Sequence, residues 1–152
     1  MRVIAFDLGA KRTGVAVSDA TGTLARPLTV IHGEPLAAAL ALIDGLRGEG
    51  DGLSAVVVGL PRRLDGSAND VTPLAERFAE AVRTATGLPV ALQDERLSSH
   101  EAEQRLAARE RDWRRRKARI DAAAAAVILQ DYLDLAAPGR TRVSAAGPGA
   151  SP

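Results

Sequence analysis

Leu53 to Val58 is the stretch that most restricts what this chain can become. It reads Leu-Ser-Ala-Val-Val-Val, an apolar, β-branched run of the kind found in strands covered on both faces. Such a strand belongs to a layered α/β domain in which helices pack against a sheet.

The flanking sequence supplies the other layers. Residues 2–8 read as a buried strand, and Gly9-Ala10-Lys11-Arg12 as a turn into a second strand over Thr13 to Ser18, so the two form a hairpin. Leu24 to Ile31 is a third strand, in which Pro27 is tolerable only at a sheet edge. Pro35 opens a helix with Leu36, Leu40 and Ile43 on one face, and Gly48 and Gly50 end it. Leu74, Phe78 and Val82 mark a second helix that stops at Gly87, and Leu88 to Gln93 is the next strand. Ser98-Ser99-His100-Glu101 has the pattern of a capping box and starts a third helix. A fourth runs from about Ile120 to Leu135. The order β-β-β-α-β-α-β-α-α predicts an α/β fold with a five-stranded mixed sheet, an antiparallel meander followed by parallel strands, flanked by helices. From Ala136 onward the chain is Ala, Gly, Pro, Ser and Arg without periodicity. The expected division is therefore one domain over residues 1–136 and a disordered tail over 137–152.

Composition removes several classes of function. A chain of 152 residues, 46% hydrophobic, is large enough for a single core. Cysteine is absent, which excludes disulfides, thiolate zinc sites and a cysteine nucleophile. No apolar run approaches the roughly 20 residues that span a bilayer, and a strand starting at Arg2 leaves no room for a signal peptide. A soluble, cytoplasmic protein without a membrane partner is expected. Aromatic residues make up 3%, too few for a platform that stacks single-stranded bases. The net charge of +1 is uninformative, but its distribution is not. Arg105, Arg109, Arg111, Arg114, Arg115, Arg116, Lys117 and Arg119 face only Glu110 and Asp112 within one segment. Such a basic block is the footprint of a polyanionic partner.

Three carboxylates stand where apolar elements begin or end. Asp7 closes Val3-Ile4-Ala5-Phe6, Glu95 follows Leu88-Pro89-Val90-Ala91-Leu92, and Asp121 opens Ala122 to Leu129. Acidic groups in such places are costly unless paired, hydrogen-bonded or metal-bound. If the fold gathers them, their repulsion favours a hard divalent cation with oxygen ligands. Each also has a plainer explanation. Asp7 suits an Asx-turn, although alternation puts it on the strand face of Val3 and Ala5. Asp94 and Glu95 suit a solvated charge cluster, and adjacent strand residues face opposite ways, so only one of them reaches a common site. Asp121 suits a helix N-cap, although Asp121, Ala125, Ile128 and Tyr132 also form one helical stripe. The loop Val58-Gly59-Leu60-Pro61-Arg62-Arg63-Leu64-Asp65-Gly66-Ser67 either holds phosphates through Arg62, Arg63 and its amides or is an ordinary surface turn. His32 and His100 lack partners at ligand spacing, and Ser98 is explained by capping.

Taken together, Phe6-Asp7-Leu8-Gly9-Ala10-Lys11-Arg12-Thr13-Gly14-Val15-Ala16, Val58-Gly59-Leu60-Pro61 with Asp65-Gly66-Ser67, Asp94-Glu95-Arg96-Leu97-Ser98 and Ile120-Asp121 followed by four alanines resemble the YqgF family, also called RuvX. These are small bacterial proteins related to the Holliday-junction resolvase RuvC. The resemblance runs from residue 3 to about 133 in the family's order. It implies an RNase H-like fold and a nuclease that matures the 5′ end of 16S rRNA, with resolution of branched DNA as the alternative and a non-catalytic RNA-binding module as another. It places a catalytic and metal-binding site on Asp7, Glu95 and Asp121, holding magnesium or manganese, as two ions. It further implies that Lys11, Arg12, Arg62 and Arg63 neutralise backbone phosphates, with Arg114, Arg115, Arg116 and Lys117 adding salt-dependent affinity. Ribosomal precursor particles are an implied partner, and a homodimer is compatible with it. The opening Asp7-Leu8-Gly9 also resembles the first phosphate motif of actin-like ATPases and sugar kinases, but those need two related domains and this chain has length for one.

Overall fold

The computed structural model describes residues 1–60, 71–94 and 113–136, with side chains in the last segment from residue 121 onward. The elements are β1 (Arg2–Leu8), β2 (Arg12–Ser18), β3 (Ala25–His32), α1 (Leu36–Arg47), β4 (Leu53–Leu60), α2 (Thr72–Thr86), β5 (Val90–Asp94) and a final helix, here α3 (Trp113–Ala136). One sheet holds all five strands in the order β3-β2-β1-β4-β5. β1 to β3 form an antiparallel meander, and β4 and β5 extend it in parallel. This is the mixed sheet of an RNase H-like fold.

Alternation along the strands divides the interior in two. Ile4, Phe6, Leu8, Val15, Val17, Val56, Val58 and Val90 pack under α1 and α2, through Ala39, Ile43 and Leu46 of the first and Ala75, Phe78, Ala79 and Val82 of the second. Val3, Ala5, Ala16 and Val57 face the other way, against Ala125, Ile128, Leu129 and Leu133 of α3. The continuous apolar character of β4 follows, because Val57 and its neighbours Val56 and Val58 feed opposite layers and all are fully buried. On the first layer the Phe6 and Phe78 rings meet edge to face, their centroids 5.4 Å apart, a favourable quadrupolar arrangement. On the second, the alanines of α3 bring its backbone close to the sheet.

Several elements differ from expectation in their details. Pro27 does lie at the edge, in β3, where the register with β2 slips between Val15 and Ala16. β2 begins at Arg12 rather than Thr13. β5 begins at Val90 rather than Leu88, since Pro89 has no N–H to give to a ladder. α2 ends at Gly87, which takes a left-handed φ of 72° and returns its N–H to the Arg83 carbonyl, as a helix C-terminus requires. Its buried stripe runs through Ala75, Phe78, Ala79 and Val82, so Leu74 is turned about 100° off it and is 45% exposed. Leu74 instead lines an open groove of about 520 Å³ with Leu8, Pro35, Leu36 and Phe78. The largest difference is α3, which starts at Trp113, not near Ile120. The capping-box helix at Ser98, the loop carrying Arg62 and Arg63, and the tail from residue 137 lie outside the described residues. Among the described residues no helix is long and apolar enough to cross a membrane.

Candidate active site

The site is built from the register of the first hairpin. Asp7 pairs with Gly14 across β1 and β2, and cross-strand partners point to the same face. That face is the one covered by α3, because Ala5 and Ala16, two positions away on either strand, pack against it. Asp7 is half-buried there. Opposite it Gly14 has no side chain, and α3 uses the vacancy. A Cβ at position 14 would stand 1.9 Å from the Asp121 carbonyl oxygen and 2.5 Å from its carbon, far inside van der Waals contact. The main chain of Asp121 therefore rests directly on the strand residue paired with Asp7. Glycine inside an apolar strand often marks such an approach of another backbone.

Asp121 is not a helix N-cap. It lies inside α3, eight residues beyond Trp113, on the stripe of Ala125 and Ile128, both fully buried, and of the partly buried Tyr132. Its half-buried carboxylate meets Arg12, whose Nε stands 3.0 Å from Oδ2 with both side chains a little under 30% exposed. Arg12 shares the α3 face with Gly14 and Ala16 by alternation. An ion pair this exposed contributes at most about 1 kcal/mol, so its weight lies in placing a cation beside Asp121, on the sheet face that Asp7 shares. Lys11, next in the turn, is exposed, and the turn is closed by the Gly9 amide donating to the Arg12 carbonyl at 2.8 Å.

β5 runs parallel to β4. Gln93 pairs with Gly59 and Asp94 with Leu60, so the strand ends at the same sheet edge as β1. Val90 and Leu92 belong to the α1 and α2 layer, and Asp94 shares their parity. It is thus on the face opposite to Asp7. Glu95, the next residue, and Arg62 and Arg63 lie outside the described residues, and so do the side chains of Arg114, Arg115, Arg116 and Lys117. Their backbone places those four on the first two turns of α3. Among the described residues no three acidic, histidine or cysteine side chains cluster as a metal site would require. Of the acidic residues described, Asp7 is paired across the strands with Gly14, and the main chain of Asp121 rests on that same glycine.

A second acidic feature at the opposite sheet end is structural. Asp19 accepts from the amides of Thr23 and Leu24 and from the Thr21 and Thr23 hydroxyls. The Thr23 and Leu24 amides are the main cause that holds its pKa down to about 2. It shapes the β2–β3 turn, whose Thr23 carbonyl and Ala25 amide bond the Gln130 side chain of α3.

Asp7, Asp121 and Arg12 thus share one face of a mixed α/β sheet, beneath one helix. Residues 1–135 match the family model described as RuvX, Holliday junction resolvase, and the chain belongs to that family. It is 46% identical over 132 residues to a protein of Thiobacillus denitrificans, named "Putative pre-16S rRNA nuclease", covering 87% of this chain and 90% of the relative. A relative of the same name from Anaeromyxobacter is 45% identical over 134 residues, covering 88% and 97%. Among solved structures, Thermus thermophilus RuvC in complex with a Holliday junction substrate aligns with a TM-score of 0.49 at 17% identity, covering 88% of this chain and 93% of that one.

Proposed function

We propose that this protein is a divalent-metal-dependent endonuclease that processes the 5′ end of precursor 16S rRNA. The family and the names of its members support a nuclease, a hydrolase of phosphodiester bonds. The observation that supports the metal reading is the seating of the Asp121 main chain on Gly14, the strand partner of Asp7, since two residues with hard oxygen donors then share one stretch of the sheet. Such a donor set fits magnesium or manganese. Asp7 and Asp121 would hold the metal, with Glu95 as the third ligand. When bound, it supplies Lewis-acid stabilisation of charge on the attacked phosphate and lowers the pKa of the attacking water.

The remaining work falls to the protein's own cations. Lys11, Arg12, Arg62 and Arg63 neutralise the phosphates flanking the scissile bond, and planar guanidinium groups suit phosphate oxygens in a bidentate fork. Arg114 to Lys117 precede Asp121 by four to seven residues on one helix, a rise of roughly 6–10 Å. A strand held by that block is led toward the carboxylates. A binding-only module would gain nothing from converging negative charges facing a polyanion.

The family description favours a second reading, resolution of branched DNA. One side-by-side assay separates them. A precursor 16S rRNA fragment, a single-stranded RNA and a four-way DNA junction are each incubated with protein in magnesium and manganese. Preferential cut of the precursor is expected. Cleavage of the junction alone overturns the rRNA assignment, and no cleavage in either metal overturns the nuclease.

A further inference from the structure

We propose that Arg12 is an internal counterion that occupies the metal's place at Asp121 and is handed to the substrate phosphate when the metal binds. The inference rests on the proposed metal reading and adds a residue that couples metal to substrate. Its basis is geometric. Arg12 Nε sits 3.0 Å from Oδ2 of Asp121, on the same sheet face as Asp7. The Asp121 main chain lies directly over Gly14, so its carboxylate and Arg12 rise from neighbouring points on one face of the sheet. A divalent ion that takes up Oδ2 must compete with the Arg12 guanidinium, and like charges cannot share that oxygen cheaply.

The displaced group has somewhere to go. Arg12 opens β2 directly after the exposed Lys11 and is itself partly exposed, and its guanidinium fits a phosphate as readily as a carboxylate. Metal binding at Asp121 then frees the cation that the nucleic acid needs. Coupling of this kind is reciprocal, so bound nucleic acid also raises metal affinity.

The test begins with calorimetric titration of Mn2+ into the full chain. Removing the competitor in Arg12→Gln should tighten Mn2+ binding by about fivefold, the size set by a partly exposed ion pair. Arg12→Lys, which keeps the charge, should stay near wild type and controls for folding. Unchanged or weaker Mn2+ binding in Arg12→Gln overturns the inference. A second arm measures RNA affinity by fluorescence anisotropy in EDTA and in Ca2+. Arg12→Gln should weaken binding in Ca2+ and leave it unaltered in EDTA. Equal losses in both would mean that Arg12 already contacts phosphate without metal, and would also overturn it. Failure of the underlying reading looks different. Wild type that binds no Mn2+, or Asp7→Asn that binds it as wild type does, removes the metal site and this inference with it.

Discussion

A hydrogen atom in place of a side chain at position 14 decides how closely α3 lies on the sheet. In Gly14→Ala the new methyl would meet the backbone of Asp121, not a side chain that can rotate away. The helix must move as a unit. Overpacking costs typically about 1–3 kcal/mol, and with main chain as the obstacle the upper end is expected. Urea unfolding of the variant should show a loss of about 3 kcal/mol, together with impaired cleavage by the protein that remains folded. A midpoint equal to wild type would show that α3 does not bear on Gly14. The acidic pair gives a second expectation at this scale. Asp94 shares parity with Val90 and Leu92, which face α1 and α2. Asp94→Asn should therefore cost little turnover, whereas Glu95→Gln should cost more than roughly a hundredfold, beyond what loss of an outer-shell partner produces. Equal losses, or the reverse order, would reassign the ligand.

At the scale of elements, the helices and strands were legible wherever burial leaves a periodic trace. β1 and β4 announce themselves through apolar runs, Pro27 marks β3 as an edge, and Gly87 ends α2. The start of α3 left no such trace, because Arg114 to Lys117 carry no apolar spacing and the helix there is cationic. For that reason Asp121 was open to reading as a cap when it lies two turns inside. The Asp7 side of the site was legible from parity along β1. The contact of Gly14 with Asp121 and the pairing of Arg12 were not, since both depend on how a helix lands on a sheet. A glycine within an otherwise apolar strand was the one signal for the first. The extended α3 also sharpens what the basic block should do. Changing Arg114, Arg115, Arg116 and Lys117 together to alanine should weaken binding to every nucleic acid alike. The slope of log affinity against log salt should fall by about 3, at roughly 0.7–0.9 for each phosphate that is no longer neutralised. Turnover at saturating substrate should persist, because none of the four is placed among the metal ligands. An unchanged slope in the salt titration would reduce the block to a solvated surface.

Across the whole molecule, one sheet separates two cores with different duties. The layer under α1 and α2 is the larger among the described residues and holds the aromatic contact of Phe6 with Phe78. The layer under α3 is built on alanines with Ile128 and Leu129 fully buried, and it carries the Asp121 main chain onto Gly14. Stability and activity should therefore respond differently to damage on the two sides. Phe78→Ala and Ile128→Ala each empty a buried site, at an expected cost of about 3–5 and 2–5 kcal/mol respectively. Such losses are a large part of what holds a domain of this size together, so both variants need measurement at low temperature, with the folded fraction read by circular dichroism. Ile128 lies seven residues from Asp121 on the same helical stripe, and its loss loosens the seat of that carboxylate. Cleavage per folded molecule should then fall in Ile128→Ala, with weaker Mn2+ affinity beside it. Phe78→Ala, on the opposite layer, should melt earlier yet cleave normally while folded. Equal cleavage per folded molecule in the two variants would mean that the sheet transmits packing defects across its thickness, and that α3 is not the element that positions the site.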